Sequence, residues 1–86
     1  MKKNNNIVEL KKVRLKIDDI DNKIIKLIAD RFKEIHKVTK LKDDQDQIID
    51  HERITHILKS VQAKAKKNKI DPDIITRIWQ IFIQEA

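Results

Sequence analysis

An all-α fold follows from three observations on this sequence. The 86 residues contain no glycine and a single proline, so the φ > 0 turns that join short strands have no ready residue. Aromatic residues make up only 3% of the chain against 40% apolar residues, and the apolar residues are mostly Ile, Leu and Val. They recur at three- and four-residue steps, the spacing of a helix seam rather than the alternation of a strand.

The first helix is predicted over residues 7–42. Between Ile7 and Leu41 no Gly or Pro interrupts the run, and Leu10, Val13, Ile17, Ile20, Ile24, Leu27, Val38 and Leu41 keep heptad spacing. Two positions that the seam would make apolar are Arg31 and Glu34. A charge on a buried seam is costly unless neutralised, and a guanidinium fork suits a carboxylate. Arg31 is therefore read as an anion ligand pointed into a protein interior. Residues 1–6 are polar and are read as a disordered tail ahead of a helical domain over 7–86.

The polar stretch from Asp43 to Gln47 separates the first helix from the second. That helix begins near Asp50, a good N-cap, and carries Ile54, Ile57, Leu58, Val61 and Ala65 on one stripe before ending near Asn68. The third opens with Asp71-Pro72, an N-cap followed by proline at the first helical position. It continues through Ile74, Ile75, Ile78, Trp79, Phe82 and Ile83 to the chain end.

A first helix of about 35 residues is a rod of roughly 50 Å, whereas a compact monomer of this size is about 30 Å across. Its seam is covered along its whole length only by a second copy, most simply in an antiparallel homodimer. The competing picture is a long helix with an exposed, frayed first turn. Arg31 and Lys42 lie within about 20° of each other around the helix, whereas Arg14 is about 25 Å from Arg31 along the axis. An antiparallel partner brings its own Arg14 past the middle of the other chain. The plain alternative is that Arg14 and Lys42 are surface charges.

Composition narrows the function classes. There is no cysteine, and His36, His51 and His56 lack a zinc-ligand set, so no metal is implied. The polar N-terminus and the lack of a long apolar stretch predict neither a signal peptide nor a membrane span, hence a cytoplasmic location. Lys and Arg number 20 against 14 acids, a net charge of +6. These charges are dispersed except at Lys64, Lys66, Lys67 and Lys69, near a helix end where cations complement the dipole. They read as solvated faces rather than a nucleic-acid surface.

Three stretches resemble the all-α (type II) chorismate mutases: Val13 to Asp21, then Ile28-Ala29-Asp30-Arg31, then Lys40-Leu41-Lys42. The Asp50-x-x-Arg53 step and the Ile70-Asp71 entry to the third helix extend the resemblance over nearly the whole chain. It implies intertwined three-helix chains forming a homodimeric bundle, without cofactor or covalent intermediate. The small dicarboxylate chorismate would be held folded for a Claisen rearrangement to prephenate, a step of aromatic amino-acid biosynthesis. By similarity the partner's Arg14 binds one carboxylate, Arg31 binds from its own chain, and Lys42 sits at the ether oxygen. Asp50 and Arg53 fall on substrate-contacting positions of the second helix, although Asp50 needs no reason beyond N-capping.

Two departures from the family pattern stand out. Ile54 occupies a position that is usually a glutamate, and relatives acting on isochorismate or amino-deoxychorismate tend to be apolar there. An isochorismate pyruvate lyase is accordingly the second reading. The family's third helix also continues past the position of Ala86 to a glutamine or glutamate at the ether oxygen. Stopping at Ala86 predicts weak turnover, and a non-catalytic dimeric module of the same fold is the third reading.

Overall fold

The computed structural model describes residues 2–41 and 50–85, with side chains described from Asn5 onward. Within them the architecture is three α-helices: α1 (Lys2–Leu41), α2 (His51–Lys67) and α3 (Pro72–Glu85). No strand occurs among the described residues. The chain divides into two compact units, residues 1–37 and 38–86.

The first unit is built on α1, which starts earlier than its first seam residue. The stretch Lys2–Asn6 contains nothing that breaks a helix, and asparagine has weak helix propensity rather than none. Along the exposed surface Lys12–Glu9 (3.6 Å), Lys23–Asp19 (3.2 Å) and Lys37–Glu34 (3.0 Å) pair one turn apart. In each the acid precedes the lysine, the order that also suits the helix dipole, and each contributes about 0.3 kcal/mol. The apolar stripe is uncovered in the single chain: Leu10, Val13, Ile17, Ile20 and Ile24 are each 47–53% exposed.

The second unit is centred on a helical hairpin of α2 and α3. Asp50 caps α2, its Oδ1 accepting the Arg53 backbone N–H at 3.0 Å, and Asp71 caps α3 by accepting from the Asp73 N–H at 2.9 Å. Pro72 stands at the first helical position, where a missing N–H costs nothing. The turn between them is a Schellman motif: Ile70 N–H donates to the Ala65 carbonyl at 2.8 Å and Lys69 N–H to that of Lys66 at 3.1 Å. The residue that must turn left-handed is Lys69, at φ 60°. A chain without glycine makes this turn with a side chain that prefers other angles.

Half-buried Ile54, Ile57, Leu58, Val61 and Gln62 share one stripe of α2 with buried Ala65. Half-buried Ile75, Thr76, Trp79, Phe82 and Ile83 form the corresponding stripe of α3. One polar bond crosses between the helices, Gln62 Nε2 to Thr76 Oγ1 at 2.8 Å, and the threonine hydroxyl donates in turn to the Pro72 carbonyl at 2.8 Å. Trp79 and Phe82 meet edge to face, with centroids 5.3 Å apart. A second apolar face of α3, carrying Ile74, Ile78 and Ile81, remains exposed.

Candidate active site

Arg31 is set by the apolar stripe that surrounds it. Heptad spacing predicts this stripe through Leu27 and Glu34, whereas in the structure it lies one residue further on. Half-buried positions on α1 are Ile28, Arg31 and Ile35, whereas Leu27 is 66% exposed and Glu34 lies in solvent paired to Lys37. The cause is the helix period: a straight helix drifts ~20° per heptad against a 3.5-residue repeat, so the stripe steps on to the next residue. Seen this way it runs Ile17, Ile20, Ile24, Ile28, Arg31, Ile35, Val38, and Arg31 alone interrupts it. Glu34 is not a seam position.

Arg14 is exposed on the same helix, seventeen residues before Arg31. At ~1.5 Å and ~100° per residue, the two are about 25 Å apart along the axis and about 100° apart around it. No small molecule touches both on one chain. Lys42 lies outside the described residues.

Asp50 and Arg53 are brought together, but through the cap. The carboxylate is bonded to the Arg53 backbone N–H, while both side chains are exposed on the first turn of α2. Ile54, the departure from the family pattern, belongs to the half-buried stripe of α2, so a glutamate there would place a carboxylate among Ile57, Leu58 and Val61. On another side of these turns, His51, Glu52, Thr55, His56 and Lys59 line a shallow depression of about 430 Å³. It includes none of the residues singled out from the sequence. Among the described residues no group of three or more His, Cys, Asp or Glu side chains is placed to hold a metal ion, and no helix is long and apolar enough to cross a membrane.

Chemically, these residues offer cationic forks for carboxylates. A guanidinium at a half-buried apolar position binds a carboxylate through paired charge-assisted bonds, more strongly than in water. The sequence pattern did not single out Gln62 and Thr76, whose side chains bond between α2 and α3 at 2.8 Å. An uncharged Gln and Thr fourteen residues apart carry no recognisable signal.

Comparison with known proteins gives one consistent answer. The family model described as chorismate mutase type II matches residues 13–86, a span that contains Arg14, Arg31, Lys42, Asp50 and Arg53. A chorismate mutase of Methanocaldococcus jannaschii is 38% identical over 79 residues, covering 91% of this chain and 80% of that protein. A bifunctional chorismate mutase/prephenate dehydratase of Buchnera aphidicola subsp. Acyrthosiphon pisum is 34% identical over 74 residues, covering 85% of this chain and 19% of its own length. The corresponding bifunctional protein of Buchnera aphidicola subsp. Schizaphis graminum is 33% identical over 79 residues, covering 91% of this chain and 20% of its own. The chain thus spans about four fifths of the archaeal relative and about one fifth of the bifunctional ones. No solved structure matches it.

Proposed function

We propose that this chain, which belongs to the chorismate mutase type II family, rearranges chorismate to prephenate. The observation that carries the reading is the family match over residues 13–86, within which Arg31 stands between half-buried Ile28 and Ile35 on the apolar stripe of α1. The reaction is intramolecular: a carbon–oxygen ether bond breaks while a carbon–carbon bond forms across the folded substrate. No group is transferred to the protein. What the protein supplies is a geometry in which the reacting ends already lie close, and fixed positive charge where the ether oxygen becomes negative. Arg31 and the partner's Arg14 hold the two carboxylates, Lys42 faces the ether oxygen, and Asp50 and Arg53 close the site from α2.

The site is shared between two copies in a homodimeric bundle. The uncovered stripe of α1 supports a second copy as its cover. Charge supports the direction of pairing. Lys11, Lys12, Arg14 and Lys16 precede Asp18, Asp19 and Asp21, which precede Lys23 and Lys26. Parallel pairing sets like blocks side by side. Antiparallel pairing about a point between Asn22 and Lys23 sets the acidic block level with the partner's Lys23 and Lys26. The same register sets Arg31 level with the partner's Arg14. A cytoplasmic location belongs to this reading.

The test is turnover of chorismate by the purified protein, followed as loss of substrate and appearance of prephenate. A mixing experiment tests the shared site. Arg14→Ala and Arg31→Ala chains are inactive alone, and an equal mixture regains about a quarter of the parent activity, because about half of the dimers are mixed and each of these has one intact site. Ile54 favours a second substrate, isochorismate, which is assayed in parallel. Release of pyruvate from isochorismate without turnover of chorismate would replace the mutase reading by the lyase one.

A further inference from the structure

We propose that the dianionic ligand is also an assembly ligand, so that occupancy of the site and pairing of two chains form one linked equilibrium. The inference rests on the shared site proposed above. It begins with the distance on α1: Arg14 and Arg31 of one chain are about 25 Å apart along the helix, too far for one small dicarboxylate. Each site is therefore complete only in the pair, and the free chain offers the ligand one of the two arginines that hold its carboxylates.

Charge contributes to the linkage at the two arginines. Arg14 stands among Lys11, Lys12 and Lys16, and the antiparallel register sets this block level with the partner's residues 29–34, where Arg31 and Lys33 are flanked by Asp30 and Glu34. Asp30 and Glu34 offset the surrounding lysines, so the opposition left without an anion is that of Arg14 and the partner's Arg31, two guanidinium groups set level with each other. A dicarboxylate seated between the guanidinium groups turns that repulsion into two sets of charge-assisted hydrogen bonds. The apolar stripe draws the chains together, and the ligand decides how tightly the cationic ends close.

The size of the effect follows from mass action. Each of two sites multiplies the dimerisation constant by 1 + [L]/Kd, so free ligand at about ten times its Kd tightens the dimer on the order of 100-fold. In a cell this ties the fraction of assembled enzyme to the supply of its own substrate.

The experiment measures the dimer dissociation constant of the full chain by sedimentation over a dilution series. An oxabicyclic dicarboxylate shaped like the rearrangement transition state is the probe, with benzoate as the single-carboxylate control at matched ionic strength. The expected result is tightening of about 100-fold by the dicarboxylate and little by benzoate. Arg14→Ala should dimerise no more weakly than the parent without ligand, yet lose the tightening. If the parent is too tight to dilute, subunit exchange between two fluorescently labelled pools reads the same linkage as a slowing of similar size. A dicarboxylate that binds by calorimetry but leaves dimerisation and exchange unchanged overturns the linkage alone, with chorismate turnover preserving the mutase reading. Absence of both binding and turnover removes the reading beneath it as well.

Discussion

Replacing Asp50 by alanine and, separately, by asparagine separates two roles that one carboxylate is asked to fill. Its Oδ1 accepts the Arg53 backbone N–H at 3.0 Å, and its own carbonyl accepts the Ile54 N–H at 3.1 Å, opening the helix ladder of α2. Alanine removes the first of these bonds and leaves an orphan N–H at the helix start, a loss of about 1 kcal/mol. For a domain of this size that is a fall in Tm of about 4–8 °C, read at one fixed protein concentration because assembly shifts the midpoint. Asparagine keeps an acceptor oxygen at the same reach and gives up only the interaction of charge with the helix dipole. That costs about 0.3–1 kcal/mol, and Glu52 in the same turn still supplies one negative charge. The cap thus predicts a graded loss, alanine beyond asparagine. Substrate contact by the charged carboxylate predicts a different ranking, with both variants losing kcat/KM by about tenfold or more. Thermal melts and initial rates on the same three proteins decide. An alanine variant as stable as the parent would refute the cap as a source of stability, and an asparagine variant with parental kcat/KM would refute a substrate role for the charge.

Three further outcomes follow from residues already placed. Lys69→Gly relieves a left-handed residue in the turn between α2 and α3 and should raise stability by about 1 kcal/mol, seen as a higher urea midpoint with an unchanged slope. A lower midpoint would show that the lysine side chain supports the turn. Arg31→Ala should leave helix content intact while abolishing binding of a dicarboxylate transition-state mimic in calorimetry; undiminished binding would make Arg31 purely structural. Lys42→Ala should lower kcat on the order of 10²- to 10³-fold through loss of positive charge at the ether oxygen, and a parental kcat would put the reacting oxygen elsewhere.

Residue patterns carried the fold further than they carried the site. Asp50 and the Asp71-Pro72 pair announced the starts of α2 and α3 because capping is local chemistry written in adjacent residues. The end of α2 was marked less clearly. Its left-handed residue is a lysine where a glycine would have signalled the turn, so only the backbone geometry identifies the Schellman motif. On α1 a strict heptad pattern gave Leu27 and Glu34 the places that the helix period assigns to Ile28 and Ile35. Arg31 was legible as a charge where hydrocarbon was due. Its distance from Arg14, about 25 Å along α1, is readable from residue numbers, and nothing within one chain brings the two to one small ligand.

Ala65 is the only buried residue among those described, and this bears on how the chain survives its own synthesis. A single copy carries the stripe of α1 and a second apolar face of α3 in the open. In that state it is open to chaperones, and to aggregation with any other exposed apolar surface. The 40% of residues that are charged read differently in this light. Set densely around the apolar stripe of α1, Lys, Asp and Glu act as gatekeepers that keep the solitary chain dissolved while leaving the stripe itself uncovered. Neutralising such flanking charges should therefore lower the soluble yield on expression well before it alters the finished protein.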